Sequence, residues 1–148
     1  MFTFTRNCAS EQDILLHLQK CDKMFTPFLS QRVNIYDYAR KIHKNAERFE
    51  AWEGRRLAAM VCAYINSGEA FITNVSVELE YQGLGLASSL TKDLVSFASG
   101  EKLFLIKLEV HKENTPAVKL YRKLGFCYEN ISDAQGTMIL KVGQRNEK

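Results

Sequence analysis

Gly83 and Gly85 stand two residues apart, between a run of strand-forming residues and an apolar helical stripe. The segment reads Gln82-Gly83-Leu84-Gly85-Leu86-Ala87. The first turn of any helix leaves its amides unpaired, and the helix dipole puts partial positive charge there. Glycine has no Cβ, so the backbone can approach an anion closely. The segment therefore has the chemistry of a pyrophosphate cradle. It equally suits a tight strand-to-helix turn with two convenient glycines. A Walker A loop needs G-x-x-x-x-G-K-[ST], and no such string occurs. For a dinucleotide fingerprint, Gly83 and Gly85 fill two positions but Ser88 takes the third. Glu101, at the distance of that motif's acid, follows the helix stop Ser99-Gly100 instead of a strand. That reading stays as a runner-up.

A second constellation lies downstream: Asn114-Thr115-Pro116-Ala117-Val118-Lys119-Leu120-Tyr121-Arg122-Lys123-Leu124-Gly125-Phe126. Asn114 is a good helix cap, and Ala117, Leu120, Tyr121 and Leu124 share a helical face. Tyr121 is either a core aromatic on this stripe or a hydroxyl placed for proton transfer. The whole segment resembles motif B of the GNAT family of N-acetyltransferases. That motif has an Asn, an Ala three residues on, an aliphatic–Tyr pair and a closing Gly-Phe. Gln82-x-x-Gly85-x-Ala87 resembles the same family's motif A, Q/R-x-x-G-x-G/A. The resemblance is close from Phe71 to Phe126 and holds elsewhere in element order.

The resemblance implies an acetyl-CoA-dependent acetyltransferase acting on a primary amine. The cofactor arm lies between two parallel strands that splay apart, here Phe71–Val77 and Leu103–Val110. Its pyrophosphate sits on the amides of Gln82, Gly83, Leu84, Gly85, Leu86 and Ala87. Backbone groups near Val75 and Val77 hold the arm and the thioester carbonyl, and Asn114 bonds the arm. The amine attacks directly while both substrates are bound, and Tyr121 is the general acid for the leaving thiolate. Many members carry a glutamate base on the strand before motif A. That strand here is Phe71-Ile72-Thr73-Asn74-Val75-Ser76-Val77, without a carboxylate. Glu69 and Glu78 flank it and His111 follows the next strand, so the base is left unassigned among these three. The acceptor is expected to meet the connection after the first helix, with Phe28, Tyr36 and Tyr38 as candidate contacts. An aromatic wall suits a small amine, such as an amino-sugar, better than a polycation. A protein N-terminus, as for ribosomal-protein acetyltransferases of the family, is the competing acceptor. Dimers are common in the family, which leaves a homodimer open.

The elements that must position these residues follow from periodicity. Phe2 to Thr5 alternates like a strand, and Ser10 with Asp13 forms a capping box. Ile14, Leu18, Cys21 and Phe25 predict one helix, ended by Thr26-Pro27, and Asn34 caps another carrying Ile35, Tyr38, Ala39, Ile42 and Ala46. Arg48–Trp52, the apolar run Leu57–Ile65 and Phe71–Val77 are strands. In the last, Phe71, Thr73, Val75 and Val77 are expected on one face and Ile72, Asn74 and Ser76 on the other. A helix bearing Leu86, Leu90, Leu94 and Phe97 follows, then the strand Leu103–Val110, the helix Asn114–Leu124, and strands Phe126–Ile131 and Thr137–Val142. The order β-α-α-β-β-β-α-β-α-β-β makes a mixed α/β domain.

Composition bounds the remaining classes. The chain has 148 residues, enough for one domain with its own core, and its tail from Gly143 to Lys148 is expected to fray. Net charge is +3 with interleaved signs, which gives no reason to expect nucleic acid as a partner. The longest apolar run has nine residues, against the roughly 20 that span a bilayer, so no membrane partner is expected. Cys8, Cys21, Cys62 and Cys127 form no C-x-x-C pair and have no histidine at metal spacing, so free thiols, no metal and a cytoplasmic location are expected. Two alternatives remain: a cysteine-nucleophile acetyltransferase, and an idle acyl-CoA-binding module that keeps the cradle but could dispense with Tyr121.

Overall fold

The computed structural model describes residues 1–144. The elements are β1 (Thr3–Arg6), α1 (Glu11–Cys21), α2 (Leu29–Arg32), α3 (Ile35–Asn45), β2 (Glu47–Glu53), β3 (Arg56–Asn66), β4 (Glu69–Val77), α4 (Leu86–Gly100), β5 (Leu105–His111), α5 (Thr115–Lys123), β6 (Cys127–Ile131) and β7 (Gln135–Lys141). The expected order holds, with α2 inserted. That helix has four residues and a single buried anchor, Leu29, so it leaves no periodic trace in the sequence. The first helix also stops sooner than its apolar spacing predicts. It ends at Cys21, and Asp22–Met24 form a 3-10 turn. Asp22 is spent there, its carboxylate accepting the Ser30 amide at 2.7 Å.

Capping follows the sequence. Ser10 accepts the Asp13 amide while the Asp13 carboxylate accepts the Ser10 amide, and Asn34 accepts the Asp37 amide. The sheet has the order β1-β2-β3-β4-β5-β7-β6, and among the described residues β4–β5 is its one parallel pair. On one face, Ile14 and Leu18 of α1 and Ile42 of α3 pack with Met60 and Cys62 of β3. On the other, Leu86, Leu90 and Leu94 of α4 pack with Val61, Ile72, Ile106 and Leu108. β3 is buried from Leu57 to Ala63, as an apolar strand covered on both faces must be.

One buried charge was not legible beforehand. Glu50 on β2 is fully buried and accepts from the Thr5 hydroxyl, the Cys8 and Ala9 amides and Arg48. The pair ties β1 and the lead into α1 onto β2, and its hydrogen bonds offset the desolvation of the charge.

Two features of β4 open the site. Its pairing with β5 covers only Glu69 to Ile72, against Leu105 to Leu108. Beyond that the strands part, although β4 runs on to Val77 beside β3 and β5 to His111 beside β7. The second feature is a bulge. Cys62 pairs with Asn74 and Ala63 with Ile72, so Thr73 has no opposite residue. The strict alternation expected along β4 is therefore wrong at this point. Ile72, Val75 and Val77 all belong to the α4 side, while Ser76 reaches α1.

The end of the chain departs in part from the frayed tail. A Cβ on Gly143 would lie 2.7 Å from the Leu103 carbonyl oxygen, so this residue is packed down. Residues 145–148 of that tail lie outside the described residues.

Candidate functional site

A cavity of about 640 Å³ occupies the gap where β4 and β5 part. Its walls include Thr73 to Val77 of β4, Leu108 to His111 of β5, the turn into α4, and Asn114, Leu120 and Tyr121. The two sequence constellations, some thirty residues apart, thus meet in one place.

The turn into α4 has the backbone that its glycines imply. Gly83 and Gly85 have φ of 81° and 78°, a region that side chains avoid. A Cβ at either position would meet no atom within 4 Å, so the loop's concave side is open. The first backbone bond of α4 is from the Ser89 amide to the Gly85 carbonyl. The amides of Leu86, Ala87 and Ser88 therefore precede the helical ladder and are available to an anion. This open, donor-lined turn beside an unpaired strand edge fits the phosphates and linear arm of a CoA thioester. Gln82, Gly83, Gly85, Leu86 and Ala87 line the cavity, and Ser88 joins them. Leu84 does not line it: its side chain is exposed. The Gln82 side chain bridges outward, donating to the Val77 carbonyl and the Met24 sulfur.

Val75, Val77 and Asn114 line the cavity. Asn114 also caps α5, accepting the Ala117 amide at 3.3 Å, so one end of its carboxamide is engaged. Tyr121 is 6% exposed and packs against Phe126, ring centroids 5.7 Å apart. Gly125, at φ 100°, allows the chain to turn back so that the Phe126 amide bonds the Tyr121 carbonyl. Burial pushes the Tyr121 phenol well above its ordinary value, so it stays protonated at neutral pH.

The three base candidates separate clearly. Glu69 pairs with Leu105 at the far end of β4 and does not reach the cavity. Glu78 is buried and lines a second, smaller cavity with His17 and Arg56. Burial opposes its charge, but hydrogen bonds from His17 and Arg56 outweigh that and hold its carboxyl below the ordinary value. Arg56 lies 2.7 Å away, and His17, itself bonded to Ser76, 3.5 Å away. His111 lines the cavity, but its Nδ1 accepts the Glu113 amide. When neutral, its other nitrogen therefore carries the proton. Glu109 was missed. It lines the cavity, is exposed, and lies on the splayed part of β5. Its signal was the alternation of Lys107, Glu109 and His111 with Leu108 and Val110, which sends the charged set to one face.

The expected acceptor contacts are not brought together. Phe28 and Tyr36 are exposed away from the cavity. Tyr38 donates to the Thr73 carbonyl at 2.7 Å and so fixes the bulge, its phenol pushed up to about 12 chiefly by burial. The wall is instead made by Cys21 at the end of α1, Met24, Phe25 and Thr26 in the connection after it, and Arg32 at the end of α2. The thiol reading weakens as well. Burial pushes Cys21 up to about 12 and Cys62 higher still, so neither is a thiolate at neutral pH. Cys8 and Cys127 are exposed and do not line the cavity.

The chain is similar to known proteins in both sequence and shape. Residues 14–126 match the model of the acetyltransferase (GNAT) family. The ribosomal protein bS18-alanine N-acetyltransferase of Escherichia coli is 25% identical over 103 residues, spanning 66% of this chain and 70% of that one. The mycothiol acetyltransferase of an Arthrobacter species is 39% identical over 59 residues, 40% of this chain and 18% of its own length. The crystal structure of the Escherichia coli ribosomal-protein-S18-alanine N-acetyltransferase superposes with a TM-score of 0.81 at 19% identity, covering 99% of this chain and 97% of that one. A second likeness is to the paia N-acetyltransferase from Thermoplasma acidophilum in complex with coenzyme A. There the TM-score is 0.74 at 14% identity, covering 94% and 99% of the two chains. With the family match spanning most of the residues that build the cleft, the chain belongs to the acetyltransferase (GNAT) family.

Proposed function

We propose that this N-acetyltransferase transfers an acetyl group from acetyl-CoA to the primary amine of a small molecule, by direct attack across the gap between β4 and β5. The observation that carries the reading is the opposed placement of an acid and a base about that gap. Tyr121 belongs to the α4 side of the sheet. Glu109 alternates with Leu108 and Val110, which pack on that side, and so faces the other. Acetyl-CoA supplies an acyl group already activated as a thioester. The amides of Leu86, Ala87 and Ser88 hold its phosphates, and the free edge of β4 from Thr73 to Val77 holds its arm. N–H groups on that edge stabilise negative charge developing on the carbonyl oxygen. Glu109 accepts the proton of the amine, and Tyr121 gives a proton to the departing sulfur. With both groups on opposite sides, the two proton transfers need no side chain to move between them. The four free thiols fit a cytoplasmic enzyme.

Glu109→Gln is expected to lower kcat by about 10²-fold with acetyl-CoA binding retained. Steady-state rates with calorimetry check this. His111→Ala is expected to leave the pH–rate profile in place, and loss of its lower limb in that variant would transfer the role of base to His111.

A peptide N-terminus is the second reading. The named activity of the Escherichia coli relative, together with its superposition over nearly the whole chain, favours it. An acceptor screen decides between the two, comparing amino-sugars, amino acids and simple amines with a hexapeptide beginning in alanine. Turnover confined to the hexapeptide overturns the small-molecule reading.

A further inference from the structure

The cavity is lined by charge of both signs. Among the described residues lining it, Glu109 is the one carboxylate and Arg32 the one lysine or arginine. Glu109 stands on β5, beyond the cover of α1 and α3, which pack over β3 and β4. Arg32 ends α2 on the same face of the sheet, remote in sequence from the cradle that opens α4. Arg32 is exposed and, like Arg55 and Arg122, has no carboxylate within salt-bridge distance among the described residues. Met24 and Phe25 line the same cavity and give it an apolar surface with soft and aromatic character.

We infer that the acceptor is an amino acid-like amine, its ammonium end received at Glu109 and an anionic group, such as a carboxylate, at Arg32. This rests on the acetyltransferase reading and narrows it. A guanidinium without an internal partner offers a planar fork to a carboxylate, and Glu109 gives the amine end a fixed polarity. An acceptor with an amine at one end and an anion at the other is thereby oriented, with its apolar side chain on Met24 and Phe25. Peptide N-termini and simple amines lack a carboxylate beside the amine and use half of the site.

The anion at Arg32 has one other source, a phosphate of the cofactor. The test separates the two. Wild-type enzyme is assayed for CoA release with methionine and phenylalanine beside methioninamide and phenylalaninamide, which differ only in the carboxylate. The acids are expected to exceed the amides in kcat/KM by about tenfold. Arg32→Gln is expected to abolish that preference, Arg32→Glu to invert it and Arg32→Lys to restore part of it. The KM for acetyl-CoA stays within about twofold throughout. Equal use of acid and amide, or turnover of neither, overturns the inference. So does a rise in the KM for acetyl-CoA in Arg32→Gln with the preference intact, which assigns Arg32 to a cofactor phosphate. Calorimetric binding of acetyl-CoA to the wild type is read in parallel. Its absence would instead sink the acetyltransferase reading itself.

Discussion

Replacing Tyr121 by phenylalanine is expected to lower kcat by about 10²-fold while acetyl-CoA affinity changes by less than about twofold. The substitution removes one oxygen and keeps the ring. The ring supplies the packing, since Tyr121 is buried against Phe126 at the end of α5. Folding should therefore be retained, and any kinetic loss falls on the hydroxyl. Burial raises that phenol above its ordinary value. A raised phenol keeps its proton at neutral pH, as an acid for a departing thiolate must. Initial rates at saturating acetyl-CoA, with calorimetric affinities for both proteins, check the result. An unchanged kcat would remove Tyr121 from the chemistry and leave it as a core residue. A parallel fall in affinity would make it a wall of the cleft.

Gly85→Glu is expected to weaken acetyl-CoA binding by at least about 10²-fold, with the fold intact. Two causes act together. At φ 78°, any side chain carries strain of roughly 1–2 kcal/mol. The new carboxylate also competes for the Leu86, Ala87 and Ser88 amides and repels phosphate. Gly85→Ala separates the causes. Its Cβ would meet no protein atom within 4 Å, so it adds backbone strain without a charge. The alanine variant should lie between wild type and Glu in a calorimetric titration. Full-strength binding by Gly85→Glu would return the two glycines to a structural turn and move the phosphates elsewhere.

How far the sequence reaches is clearest at particular residues. Ser10, Asn34 and Asn114 announce helix starts because their chemistry is local: each side chain accepts an amide three residues on. The α4 and α5 stripes are legible for the same reason, as each depends on one element's own period. Thr73 is different. Its bulge exists because Cys62 and Ala63 on β3 choose Asn74 and Ile72, a pairing that no pattern within β4 records. The error about which faces β4 presents follows from that single residue. The alternation that exposes Glu109 is visible in the sequence, but which face of β5 lies open depends on where α1 and α3 pack, and the base candidates Glu69, Glu78 and His111 stand at the two ends of β4 and at the end of β5. Phe28 and Tyr36 were chosen as aromatics near the right connection. Phe28 precedes the four-residue α2 and Tyr36 lies on the exposed face of α3, while the turn at Asp22–Met24 and α2 place Phe25 and Arg32 on the cavity instead. Glu50 shows the converse: a carboxylate in a strand reads as solvated until β1 and the connection after it bring it donors.

The parting of β4 and β5 leaves an unpaired strand edge in the middle of a sheet, where water reaches backbone groups that would elsewhere be locked. Amides on the cleft edge of Thr73 to Val77 should then exchange hydrogen by simple access, in a regime set by solvent and not by unfolding. Those facing β3 belong to the continuous ladder and should exchange only when the domain opens. One strand thus carries two clocks, and a ligand that seats in the gap as an extra strand would stop the faster one. The same seating stabilises the whole domain, by about 2.7 kcal/mol at a hundredfold excess over its dissociation constant. The enzyme's resistance to heat would then report the cell's supply of acyl donor.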